Sequence, residues 1–128
     1  MTSRDFRLSH KNLNCSETML HYGNDIFNLN LSDTALESMA GFGGGLFEND
    51  LCGVVSGGVA IISMVLTKQS PNLKPAVIEF KKHINDAFGD IQCSKIRPIH
   101  RQHKLGCQSL IIQSMDIMVD LVKTYQKI

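Results

Sequence analysis

Four cysteines, Cys15, Cys52, Cys93 and Cys107, each stand where the sequence starts a helix. Cys15 opens Asn14-Cys15-Ser16-Glu17, an Asn cap with Glu three residues on. Cys52 follows Asp50 at a distance of two, Cys93 follows Gly89-Asp90, and Cys107 follows Gly106. Backbone N–H groups at a helix start lack intrahelical acceptors, and the helix dipole there favours negative charge. A thiol so placed tends toward thiolate, the form that attacks disulfides and binds soft metals. The pattern points to redox or metal chemistry.

The intervals between these cysteines are 37, 41 and 14 residues. Zinc fingers and ribbons take ligands in close pairs, and thioredoxin-like chemistry uses a local CxxC, so neither is indicated. A shared site requires distant helix starts gathered at one end of a bundle, which antiparallel neighbours would supply for alternate helices. The blander reading is that each thiol is a small buried hydrophobe.

The elements that must do the positioning read as all-α, a compact bundle of about five helices. The first spans 14–22 and stops at Gly23; the second starts near Ser32 or Asp33 and ends at Gly41. Helix three runs from about Asp50 to Thr67, apolar nearly all round, and is the expected buried central helix. Gly53, Gly57 and Gly58 inside it make sense only where neighbouring helices press on its backbone. Helix four takes Pro75–Phe88 with Gly89 closing it, and a short helical turn is expected after Asp90. Helix five covers Cys107–Tyr125 with a stripe of Leu110, Ile111, Met115, Met118 and Val122. No segment alternates as a strand.

Between helices two and three lies Gly41-Phe42-Gly43-Gly44-Gly45. It lacks the Lys-Ser/Thr of a P-loop and follows no strand, so it reads as a tight interhelical loop rather than a nucleotide cradle. Gly43, Gly44, Gly45 and Gly53 are therefore assigned to close backbone approach near Cys52, of another chain segment or of a cofactor. Arg97, His100, Arg101, His103 and Lys104 form a basic loop, usual for a solvated connection but able to stabilise thiolate or hold an anionic substrate. His100 and His103 read as surface residues rather than metal ligands.

At 128 residues, the chain suits one domain, with residues 1–12 as a flexible N-terminal segment. A net charge of +1 and only 6% aromatics argue against nucleic-acid partners. The longest apolar stretch, Val54–Leu66, is shorter than the roughly 20 residues that span a bilayer. No secretory signal is visible, so a cytoplasmic location is expected, where thiols stay mostly reduced. Ser/His/Asp catalysis has no local signature. The amphipathic fifth helix keeps a helical interaction module, or a homo-oligomer, as the non-redox alternative.

The ordered set Asn14-Cys15, Gly41–Gly45, Cys52-Gly53-Val54-Val55-Ser56-Gly57-Gly58, Phe88-Gly89-Asp90-Ile91-Gln92-Cys93 and Gly106-Cys107 resembles a redox-active family named for its cysteine pattern, C-GCAxxG-C-C. The likeness spans about Asn14 to Met118. Leu51 and Gly53 stand where the named motif has Gly and Ala, and Ser56 holds the place of its closing Gly, with Gly57 one later. The resemblance implies a small redox protein acting with an unidentified redox partner. Two uses of the four cysteines compete. They can hold an iron–sulfur cluster, whose four thiolate ligands helix-end amides would tune. Alternatively they form a thiol–disulfide relay, with Cys93 and Cys107, nearest in sequence, as the expected close pair. A structural zinc site is a third, blander use.

Overall fold

The computed structural model describes residues 2–100 and 108–127. Among them are α1 Ser3–Ser9, α2 Cys15–Phe27, α3 Asp33–Glu37, α4 Gly53–Leu66, α5 Leu73–Phe88, α6 Cys93–His100 and α7 Gln108–Gln126. The all-α class expected from the sequence holds, with seven helices in place of about five; the only extended pairing among the described residues is a single antiparallel bridge, Leu51 to Gln92. No described helix is long and apolar enough to cross a membrane.

Local chemistry sets the helix starts. Asn14 caps α2 through its side-chain oxygen, which accepts from Glu17 N at 2.8 Å, while the Glu17 carboxylate accepts from Asn14 N at 3.1 Å. Thr2 and Asp5 build the same reciprocal box on α1. Residues 3–9, within the stretch 1–12 at the start of the chain, form this capped helix. Its cap is local, and its single buried apolar side chain, Phe6, is too little for periodicity to reveal. Two boundaries differ. α2 runs through Gly23 to Phe27, because Gly23 is no terminator: it is buried, and a side chain there would collide with Ile61. Arg97–His100 belong to α6 rather than to a loop, while 101–107 lie outside the described residues.

α4 is the apolar centre, packing on α2, α5 and α7. Val54, Ile61 and Ile62 are wholly buried with Met19, Phe80, Ile84, Met115, Met118 and Val122 around them. Burying one such side chain is worth about 1.5–3 kcal/mol. The contacts fix helix directions. Gly53 meets Cys15, Gly57 meets Ser16 and Met19, and Gly23 meets Ile61, so α2 and α4 run parallel. Arg7 links α2's first turn at Thr18 to Gln108, and Asp116 and Asp120 lie near Tyr22, so α7 runs the same way. α5 is reversed: a short connection joins it to α4, and Gly58 lies against Phe80, each about two turns from that connection.

The α2–α4 packing is therefore parallel, as expected where alternate helices start at the same end of a bundle, and its closeness depends on glycine. A Cβ on Gly57 would stand 2.5 Å from Ser16 O and 2.8 Å from Met19 Cβ, one against rigid backbone. Gly57→Ala should cost about 1–3 kcal/mol or more in urea unfolding, since the helices must move apart. Gly41→Ala, with nothing within 4 Å of its new methyl, should stay within about 0.5 kcal/mol of wild type. Equal losses at both positions would refute the close-approach account.

Candidate functional site

Three parallel helices present their N-termini at one end of the bundle, and a cysteine is tied to each. Cys15 is the first residue of α2, Cys52 caps α4, and Cys107 directly precedes Gln108, which opens α7. Cys107 itself lies outside the described residues, as do Arg101, His103, Lys104 and Gly106.

Cys15 is half-buried, and its sulfur occupies the space where a side chain on Gly53 would sit. The thiol thus lies against the first residue of α4, one position from Cys52. Asn14 holds this arrangement from both sides. Its Oδ1 caps α2, and its Nδ2 donates to Ala40 O at 3.1 Å in the turn Ala40–Phe42. The Ser16 hydroxyl lies 2.8 Å from both Asn14 Oδ1 and Met39 O. Gly43 packs directly on the Asn14 side chain, with its Cβ position 2.5 Å from Nδ2.

Cys52 and Cys93 are buried, at 4% and 9% exposure. The Leu51–Gln92 bridge aligns them: Cys52 N donates to Ile91 O at 2.8 Å and Cys93 N to Asp50 O at 2.6 Å. Side chains alternate across such a pairing, so both cysteines lie on the face opposite Leu51 and Gln92. They are diagonal neighbours across that single bridge, each one residue past the bridged residue of its own segment. Asp90 prepares this geometry by accepting from Gln92 N at 2.8 Å and from Ile91 N at 2.7 Å, the Gln92 bond foremost in holding its carboxyl below the ordinary range.

The glycine-rich stretch leads into an unusual turn. Gly44, Gly45, Leu46 and Phe47 have φ of 61°, 63°, 59° and 63°, a run of left-handed backbone. At Leu46 and Phe47 this conformation costs roughly 1–2 kcal/mol each. Their side chains gain little in return, Phe47 being 74% exposed. The turn is held where it closes: Asp50 N donates to Gly45 O at 2.8 Å, and Gly45 lies so close to Asp50 and Cys93 Cβ that no side chain fits.

The structure accordingly brings Cys15, Cys52 and Cys93 to the same end of the bundle, around Gly45 and Gly53. The close approach expected at Gly43, Gly45 and Gly53 is made by the chain's own side chains and backbone; Gly44 meets nothing within 4 Å and contributes its positive φ instead. No disulfide joins the three described cysteines. Among the described residues, no three His, Cys, Asp or Glu side chains gather into a set that could hold a metal ion. Sequence reasoning missed Asp90 as the residue that shapes the approach to Cys93. Its signal was Gly89-Asp90, a helix stop followed by a side chain that readily binds backbone amides just ahead.

A family model described as "Putative redox-active protein (C_GCAxxG_C_C)" matches residues 13–121. No match is found among curated proteins or solved structures.

Asp90→Ala should release the turn and speed alkylation of Cys93 in native protein, whereas Asp90→Asn, which keeps the acceptor oxygen, should do so far less. The carboxylate's folded pKa is depressed below its ordinary 3.8, so its stabilisation is complete above that value and disappears as pH falls through the folded one. In urea unfolding, the advantage of wild type over Asp90→Asn should be constant above about pH 5 and shrink below 3.8. An advantage that grows with acid would show the assignment to be wrong.

Proposed function

The chain belongs to the C_GCAxxG_C_C redox-active family, and from that premise we propose that it carries out thiol–disulfide exchange through Cys15, Cys52, Cys93 and Cys107. The observation that carries this reading is the half-buried Cys15 sulfur lying against Gly53, one residue from the buried Cys52. An accessible thiol beside a shielded one is the arrangement that separates an attacking cysteine from a resolving one.

In the proposed reaction the Cys15 thiolate attacks one sulfur of a disulfide R–S–S–R′. A Cys15–S–S–R bond forms, and R′S⁻ leaves and takes up a proton. Cys52, losing its proton, then attacks the Cys15 sulfur; the Cys15–Cys52 disulfide forms and RS⁻ leaves. Two protein thiols are oxidised and one disulfide becomes two thiols, so the electrons balance. Cys93, diagonal to Cys52, can take over the bond after a small shift of the Leu51–Gln92 bridge. Cys107 is the fourth member, from its place immediately before α7. The substrate class is a disulfide-bearing molecule or protein, and no organic cofactor is invoked.

Intact-mass analysis of anaerobically purified protein treated with oxidised glutathione tests the reading. Cys52→Ser should accumulate a glutathione adduct on Cys15, while wild type should pass through it to a disulfide form two hydrogens lighter. An adduct equally persistent in both proteins overturns the Cys15–Cys52 exchange. Brown protein carrying iron and sulfide, bleached by chelation, would replace exchange with cluster binding by the same cysteines.

A further inference from the structure

We propose that Arg7 is a positioning residue that locks the start of α2 to the start of α7, and so fixes where Cys15 stands at the head of α2. The inference rests on the exchange reading above, and it concerns residues outside the family match, which begins at position 13. α1 lies entirely before that point. It is nevertheless anchored to the bundle: Phe6 stacks on His10 and meets Tyr22 edge-on, and Arg7 is only 7% exposed.

A guanidinium is costly to bury unless its donors find acceptors, and these come from separate stretches of chain. Nη1 donates to Leu13 O and to Thr18 Oγ1, each at 2.7 Å, with His10 O further off at 3.4 Å. Nε donates to the Gln108 side-chain oxygen. The Thr18 hydroxyl in turn donates to Asn14 O at 2.7 Å. Leu13 O and Asn14 O belong to the two residues before Cys15, and Gln108 is the residue after Cys107. One planar fork thus holds the backbone leading into one cysteine and the side chain just past another. Arginine suits this task because its donors are fixed in a plane, whereas lysine offers a mobile point charge.

The test is site-resolved alkylation of the full-length native protein, with iodoacetamide and mass spectrometry, comparing wild type, Arg7→Met, Arg7→Lys and Gln108→Ala. In Arg7→Met, Cys15 should label about tenfold faster, as expected for losing a charge-assisted hydrogen-bond cluster, while Cys52 and Cys93 stay within about twofold. Arg7→Lys should recover little of the wild-type pattern. Gln108→Ala, a milder change that serves if Arg7→Met fails to fold, should accelerate Cys15 by a smaller factor, about threefold. In glutathione redox buffers, the ratio at half-oxidation should also shift for Arg7→Met, which a loss of bulk stability alone would not cause. A uniform rise at Cys15, Cys52 and Cys93, or no change at Cys15, overturns the proposal. Alkylation reports thiol placement whether or not the protein exchanges disulfides, so failure of the exchange reading and failure of this one are separable.

Discussion

The contact on which the rest depends is the close parallel approach of α2 and α4. Gly53 and Gly57, four residues apart, remove side chains from one face of α4, and the backbone of α2 settles there at Ser16. Gly23 makes the reciprocal notch for Ile61 two turns further along. Such closeness increases dispersion contacts between the helices and sets their relative height. Height matters because the two helices begin at Cys15 and Cys52. A displacement by one turn, about 5.4 Å, would separate these thiols entirely.

That constraint bears on two of the glycines around Cys52. At Gly53 the Cys15 sulfur fills the space a methyl would need. Gly57, one turn further along, is the position that faces Ser16. On the other side of Cys52, the left-handed turn and the Leu51–Gln92 bridge bring Cys93 in from a distant segment. Strain in Leu46 and Phe47 is tolerated because the closure at Gly45 and Asp50 over-determines the turn.

Much of this was legible in the sequence. Asn14 and Glu17 announced the start of α2, the apolar run with embedded glycines announced a buried α4, and Gly89 announced the end of α5. The placement of Cys15, Cys52 and Cys93 at helix starts followed from the same local signals. Less legible were features decided by partners far away. Gly23 reads locally as a stop, and only Ile61 makes it a notch. Arg7 reads as one more surface charge, and only Leu13, Thr18 and Gln108 make it a clamp. The parallel direction of α2 and α4 has no local signature at all.

Parallel neighbours cannot be joined by a short turn. The chain must travel back along the bundle between Phe27 and Gly53, and matched contacts such as Cys15 with Gly53 are separated by 38 positions. Closing loops of that length carries an entropic cost before any packing rewards it, which slows assembly. α4 and α5, joined by a few residues, can dock as a local hairpin first. The thiols meet only when the long connection has been drawn in. Until it closes, Cys15 and Cys52 stay apart, so the meeting of these two thiols depends on a non-local contact that neither helix can form by itself.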